Sequence, residues 1–138
     1  MNEYRYEEIQ VGQKESFCVT VTQEMMESFL NITGDINPLH NDEAYARSEG
    51  HPGRVAYGML TGAFLSTLAG VYLPGKYSLI HEVRIKFSKP VYIGDTLTVE
   101  VMVEEKNDTY SLLFLAVTIR DQQNRKVCKA KMQVGVTK

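Results

Sequence analysis

Seven residues, Gly34-Asp35-Ile36-Asn37-Pro38-Leu39-His40, set a carboxylate, an amide and an imidazole close together in the chain. A carboxylate beside an imidazole is a common acid/base pair, because each sets the charge and tautomer of the other. Pro38 removes a backbone donor, fixes its own φ and pushes Asn37 out of the α region. The segment therefore reads as a shaped loop. In a continuous helix, Asp35 and His40 would point roughly 140° apart at 3.6 residues per turn. In a bent loop they can converge on one small volume. Spacing alone also admits a bland reading, and on its own favours it: Asp35 and Asn37 close a turn and His40 caps a helix.

The chain that must position these groups has 138 residues, 43% hydrophobic and 23% charged. That is the size of one ordinary domain with a real core, expected to span 1–138. A net charge of -2 and the lack of any Lys/Arg-rich run disfavour a nucleic-acid partner. Cys18 and Cys128 lie far apart and without metal-ligand spacing. They are expected to be reduced thiols in the apolar phase of a cytoplasmic protein, not a disulfide or a zinc site. The first residues carry no apolar signal-peptide core. The longest apolar run, Gly58 to Leu73, would reach about 24 Å as a helix, short of a bilayer core of about 30 Å. It is rich in Gly, Ser and Thr, so a buried helix is expected and a membrane span is not.

Residues 16–21 suit a short strand. Thr22 reads as a helix N-cap, Met25, Met26, Phe29 and Leu30 as one apolar helical face, and Gly34 as the C-cap. Asn41 or Asp42 can cap a short helix through Ala46. Residues 48–54 form a loop, in which His51 reads as a solvated histidine. The run from Tyr57 to Leu73 is apolar nearly all round, so it reads as a helix buried on most sides. Along it Gly58, Gly62, Ser66 and Gly70 make a ridge of small side chains that lets a sheet or a ligand come close. The Ser66 hydroxyl is expected to bond a carbonyl one turn back.

The remainder is β-rich. In residues 79–87 Leu79, Val83, Ile85 and Phe87 share one phase, which predicts a sheet strand with one buried face and His81 as a satisfied core histidine. Leu97, Val99, Val101 and Val103 alternate cleanly. Residues 110–120 are apolar on both phases, which places that strand at the centre of the sheet or at an interface. Residues 126–136 form a last alternating strand. The expectation is an α+β domain in which an antiparallel meander wraps one apolar helix.

Three stretches together resemble the MaoC-like (R)-specific enoyl-CoA hydratases: Gly34-Asp35-x-Asn37-Pro38-x-His40, then Tyr57-Gly58-Met59-Leu60, then Pro90-Val91-x-x-Gly94-Asp95. The likeness runs from about the first strand to the last. It implies a hot-dog fold, an antiparallel sheet wrapped around a long central helix. It also implies a homodimer with sheets joined edge to edge and substrate bound near the interface.

The implied reaction is reversible syn hydration of a trans-2-enoyl-CoA to the (R)-3-hydroxyacyl-CoA. By position, Asp35 and His40 would activate the water and move its protons. Asn37 would shape the loop or assist the pair. Adding hydroxide at C3 moves negative charge onto the thioester oxygen, and the Gly58 N–H at a helix start is suited to receive it. Ser66 would lie near the catalytic water or Asp35. Tyr57, which stands where many members carry His, is a candidate substrate contact with Met59 and Arg54. Arg54, Lys76 and Lys86 are candidates for CoA phosphates. The resemblance calls for no metal and no cofactor beyond the coenzyme A of the substrate. Three alternatives stay open: dehydration of an acyl-carrier-protein thioester, a non-catalytic acyl-CoA-binding module and, less favoured, thioester hydrolysis.

Overall fold

The computed structural model describes residues 1–138. A 3₁₀ turn at Tyr6–Glu8 precedes β1 (Lys14–Thr20) and α1 (Gln23–Thr33). Thr22 caps α1 by accepting from the Met25 N–H at 3.1 Å. Gly34 ends it in the left-handed region, φ +70°, where a side chain would be strained. Two short helices follow, α2 (Pro38–Asn41) and α3 (Glu43–Ser48), and Asp42 caps the second. The segment 34–40 is thus only half a loop. Asn37 accepts from the Leu39 N–H and starts a helical turn at Pro38, so His40 is helical and Asp35 is not.

The apolar run forms α4 (Gly58–Thr67), continued by a π-helical turn at Leu68–Tyr72. Leu60, Leu65 and Leu68 are buried, but Met59, Ala63, Ser66 and Thr67 are exposed. The helix is therefore less enclosed than its composition predicts. Its small-residue ridge does face the sheet. A Cβ on Gly58 would stand 3.5 Å from the Phe87 ring, and one on Gly62 would stand 3.0 Å from Ile85 Cδ1.

Four more strands complete one antiparallel sheet: β2 (Ser78–Phe87), β3 (Thr96–Asn107), β4 (Leu112–Arg120) and β5 (Lys126–Val136). The order is β1-β3-β4-β5-β2, so β4 is central, as its two apolar phases require. The meander holds for β3, β4 and β5. β2 departs from it: the chain crosses over, and β2 pairs with β5 at the far edge. The inner faces of β3 and β4, with Leu97, Val99, Val101, Val103, Leu113, Leu115 and Ile119, pack with α1 and α4 into one core. A sheet wrapped on one helix is the hot-dog arrangement.

Four sequence expectations fail at the periphery. No residue of β2 is buried. His81 lies at a register shift between Ile80 and Glu82, which turns its exposed ring away from the core. The room for that ring comes from Gly135, where a Cβ would meet His81 Cε1 at 2.9 Å. Cys18 is exposed on β1, 3.5 Å from Thr98 Oγ1, whereas Cys128 is buried as expected. Residues 14–20 form the first strand, so Val21, placed in it by the pattern, instead packs in the core.

Candidate active site

The chemistry-bearing loop is held by its own backbone and by one buried ring. Thr33 Oγ1 donates to the Phe29 carbonyl and accepts the Asp35 N–H at 3.2 Å. Asp35 Oδ1 accepts the Asn37 N–H at 3.1 Å, a turn that fixes the carboxylate's direction. Asn41 then ties the turn from below: its Nδ2 donates to the Asp35 carbonyl at 3.2 Å and the Asn37 carbonyl at 3.1 Å. The Tyr57 hydroxyl shares its proton between the Asp35 carbonyl at 2.7 Å and Asn41 Oδ1 at 3.1 Å.

His40 is fixed from two sides. Its Nδ1 is 2.7 Å from the Val55 carbonyl. A carbonyl only accepts, so Nδ1 carries the proton and Nε2 is left as the ring's acceptor. The imidazole lies against the Tyr57 ring, centroids 4.3 Å apart, and Tyr57 in turn lies 4.8 Å from Phe29. Tyr57 is 2% exposed. It is a wall and a clamp for both chemical groups.

Asp35, His40, Tyr57, Gly58, Met59 and Ser66 all line one cavity of about 720 Å³, closed on the other side by Ile80, Val83, Ile85 and Phe87 of β2. Gly58 is the first residue of α4, and its N–H has no intrahelical partner. The Ser66 hydroxyl makes no bond to a carbonyl one turn back; it faces the cavity instead, which corrects the expectation for it. A second cavity of about 380 Å³ shares His40, Gly58 and Phe87 with the first. The three shared residues therefore stand at a junction between two spaces.

Other candidates fall outside this wall. Asn37 is spent on capping α2. Arg54 Nε donates to the His40 carbonyl at 2.7 Å, which makes it a brace behind α2. Lys76 pairs with Glu3 at 3.1 Å. His51, read as solvated, bonds the Tyr92 hydroxyl at 2.9 Å. Sequence reasoning missed Asn41 as a site residue. The available signal was its place four residues after Asn37, on the same face of a turn that Pro38 starts. No group of three or more His, Cys, Asp or Glu is placed to hold a metal ion.

The family model described as the MaoC like domain matches residues 7–127. The chain belongs to the MaoC-like family. It is similar to the (R)-specific enoyl-CoA hydratase of Rhodospirillum rubrum, with 37% identity over 98 residues, 71% of this chain and 68% of that protein. It is similar to the (R)-specific enoyl-CoA hydratase of Aeromonas caviae, with 32% identity over 114 residues, 83% of this chain and 85% of that protein. Among solved structures, the unliganded R-hydratase PhaJ1 from Pseudomonas aeruginosa superimposes with a TM-score of 0.92 at 30% identity, covering 97% of this chain and 86% of that one. A MaoC-like chain with this overlap has the hot-dog fold throughout.

Proposed function

We propose that the protein is a reversible (R)-specific hydratase of trans-2-enoyl-CoA thioesters, working as one MaoC-like domain over residues 1–138. One observation carries the reading: a carboxylate, an imidazole of set tautomer and an unpaired helix-start amide line the same apolar cavity. The thioester carbonyl accepts from the Gly58 N–H, at the end of α4 where the helix dipole favours developing negative charge. Asp35 and His40 hold the water between them. Its oxygen bonds to C3, its proton passes to the pair, and the pair returns a proton to C2. The two groups are treated as a unit, because coupled acids and bases exchange roles within one turnover. In the reverse direction the same steps release water.

The supporting residues take simpler roles. Asn37 shapes the loop by capping α2, the Ser66 hydroxyl offers the water a further partner, and Met59 gives the acyl chain an apolar wall. Tyr57 acts by positioning Asp35 and His40. The reaction needs no metal and no cofactor beyond the coenzyme A of the substrate.

The same reading includes a homodimer. β2 is an edge strand, and its Leu79 and Phe87 are 56% and 46% exposed. Such an edge is a template for a second copy, whose own β2 would cover it beside the cavity. No helix is long and apolar enough to cross a membrane. Two unpaired thiols, one exposed, fit the reducing cytoplasm.

The test uses purified protein and crotonyl-CoA. The enoyl-thioester absorbance falls, and chiral analysis finds the (R)-3-hydroxybutyryl product. An (S) product, or no loss of absorbance with any acyl length, contradicts the proposal. Light scattering gives twice the monomer mass of 15.6 kDa if the edge pairing is right.

A further inference from the structure

The third stretch that carries the family resemblance, Pro90-Val91-x-x-Gly94-Asp95, has no part in the chemistry above. It forms a turn between β2 and β3. The Asp95 N–H donates to the Tyr92 carbonyl at 3.1 Å and closes the turn. Gly94 within it has φ +96°, the left-handed value that a type II turn needs at its third residue. The Asp95 carboxylate locks the turn from inside. Its Oδ2 accepts from the Tyr92 N–H at 2.9 Å, and its Oδ1 accepts from Gln122 Nε2 at 2.9 Å. The turn also grips Val21, the residue before the α1 cap. The Gly94 N–H donates to the Val21 carbonyl at 2.7 Å, and the Val21 N–H donates to the Asp95 carbonyl at 2.9 Å.

From this turn a hydrogen-bonded line runs to the imidazole. Val55 and Tyr92 form an isolated antiparallel bridge. The Ala56 N–H donates to the Val91 carbonyl at 2.7 Å. The other end of the same peptide unit, the Val55 carbonyl, accepts the His40 Nδ1–H at 2.7 Å. A trans peptide is planar and stiff, so its C=O and N–H point opposite ways and turn together. The Val91 carbonyl therefore sets the direction of the Val55 carbonyl. Val55, Ala56 and Val91 are 9%, 4% and 6% exposed, so little water competes for either bond. Each bond in such a line polarises the next, and low-dielectric surroundings strengthen both.

We propose that the turn at 90–95 selects the tautomer of His40, with Asp95 as its positioning residue. This deepens the hydratase reading above and rests on it for the use of the ring. Nδ1 stays protonated because the peptide between Val55 and Ala56 presents its oxygen there. Nε2 stays the ring's acceptor for the water shared with Asp35. Without the Asp95 carboxylate the Tyr92 N–H loses its acceptor, the turn opens, and the Val91 carbonyl no longer holds that peptide in one orientation. The ring then exchanges tautomers, and fewer molecules offer the water an acceptor. The same turn holds the start of α1, whose far end delivers Asp35, so both members of the pair are anchored to it.

The experiment pairs steady-state hydration of crotonyl-CoA with nitrogen NMR of the neutral His40 ring, whose signals are assigned by their loss in His40→Ala. Wild type shows a single tautomer, protonated at Nδ1. It also shows a scalar coupling across the hydrogen bond, from the Ala56 nitrogen to the Val91 carbonyl carbon. Asp95→Ala loses that coupling, shows both tautomers, and loses about tenfold in kcat with KM little changed, as for a misoriented group. Asp95→Asn keeps an oxygen for the Tyr92 N–H and restores the coupling and most of kcat. Asp108→Ala is the control. It removes the acceptor of the Tyr6 hydroxyl beyond the opposite end of β3, lowers stability, and leaves kcat and tautomer at wild type. A folded Asp95→Ala with a single tautomer, or with wild-type kcat, overturns the proposal. A wild-type His40 protonated at Nε2, or a wild type without the coupling, overturns it even where Asp95→Ala does not fold. Neither spectrum needs turnover: a protein that shows the tautomer and its loss in Asp95→Ala, yet hydrates no enoyl-CoA, contradicts the function and leaves the hold on the ring standing.

Discussion

β3 and β2 belong to one sheet but treat their apolar side chains in opposite ways. In β3 Leu97, Val99, Val101 and Val103 are fully buried against the helices, with polar or half-buried residues between them. In β2 Val83 and Phe87 are 40% and 46% exposed, although their alternation is just as regular. The difference lies in what each strand packs against. β3 has neighbours on both sides and a core beneath it. β2 has one neighbour, and its inner face looks across a cavity at the small residues of α4. Apolar periodicity records which face avoids water in the working molecule. It does not record whether another part of the chain, a substrate or a second copy does the covering.

Stability and activity should separate along this line. Leu115→Ala, in the central strand, is expected to cost about 2 to 5 kcal/mol in chemical denaturation, since it opens a void in a closed core. Val83→Ala should cost under about 1 kcal/mol, because half the side chain already meets water, yet should raise KM for longer acyl chains. Comparable stability losses at the two sites would break the contrast.

A second comparison sets Tyr57 against the loop that it holds. Tyr57→Phe keeps both ring contacts and removes the hydroxyl from the Asp35 carbonyl and Asn41. The expected loss of stability is about 1 kcal/mol, because Asn41 still bonds that carbonyl. The expected fall in kcat is about tenfold with KM little changed, as for a group that acts through others. An unchanged kcat would reduce Tyr57 to packing.

The smallest effect concerns a turn remote from the site. Burial of Asp121 works against its charged form, but donation from the Arg125 backbone and guanidinium and from the Gln123 N–H outweighs it, so the carboxyl lies below its ordinary range. A depressed folded value stabilises above the unfolded value of about 3.9 and is lost as pH falls through the folded one. Asp121→Asn should therefore flatten the acid limb of the stability curve and leave hydration untouched. A steep acid limb in that variant would place the titrating group elsewhere.

The legible parts of the chain were those whose partners lie within it. Thr22 and Gly34 could be read as caps, and the cap of α3 narrowed to Asn41 or Asp42, because capping is local. β4 could be read as central because it is apolar on both phases. His81 and Cys18 were misplaced because a bulge and an edge break the period from which they were read. Asp35 and His40 stood out as a pair, but the device that orients them did not. Asn41 carried only the weak signal of its place four residues after Asn37, and the Val55 carbonyl reaches the site through folding, with no spacing in the sequence to link it there. Ser66 was assigned a bond to its own helix, and only the cavity shows that its hydroxyl is free for other work.

The central claim is that Asp35 and His40 act as one unit on one water. Steady-state hydration of crotonyl-CoA by Asp35→Asn, His40→Ala and the double variant tests it most directly. The account predicts a loss of roughly 10² to 10⁴ in kcat for each single change, with melting temperatures near wild type, and a double variant little worse than the worse single. Losses that multiply in the double variant, or either single variant retaining wild-type kcat, would contradict it.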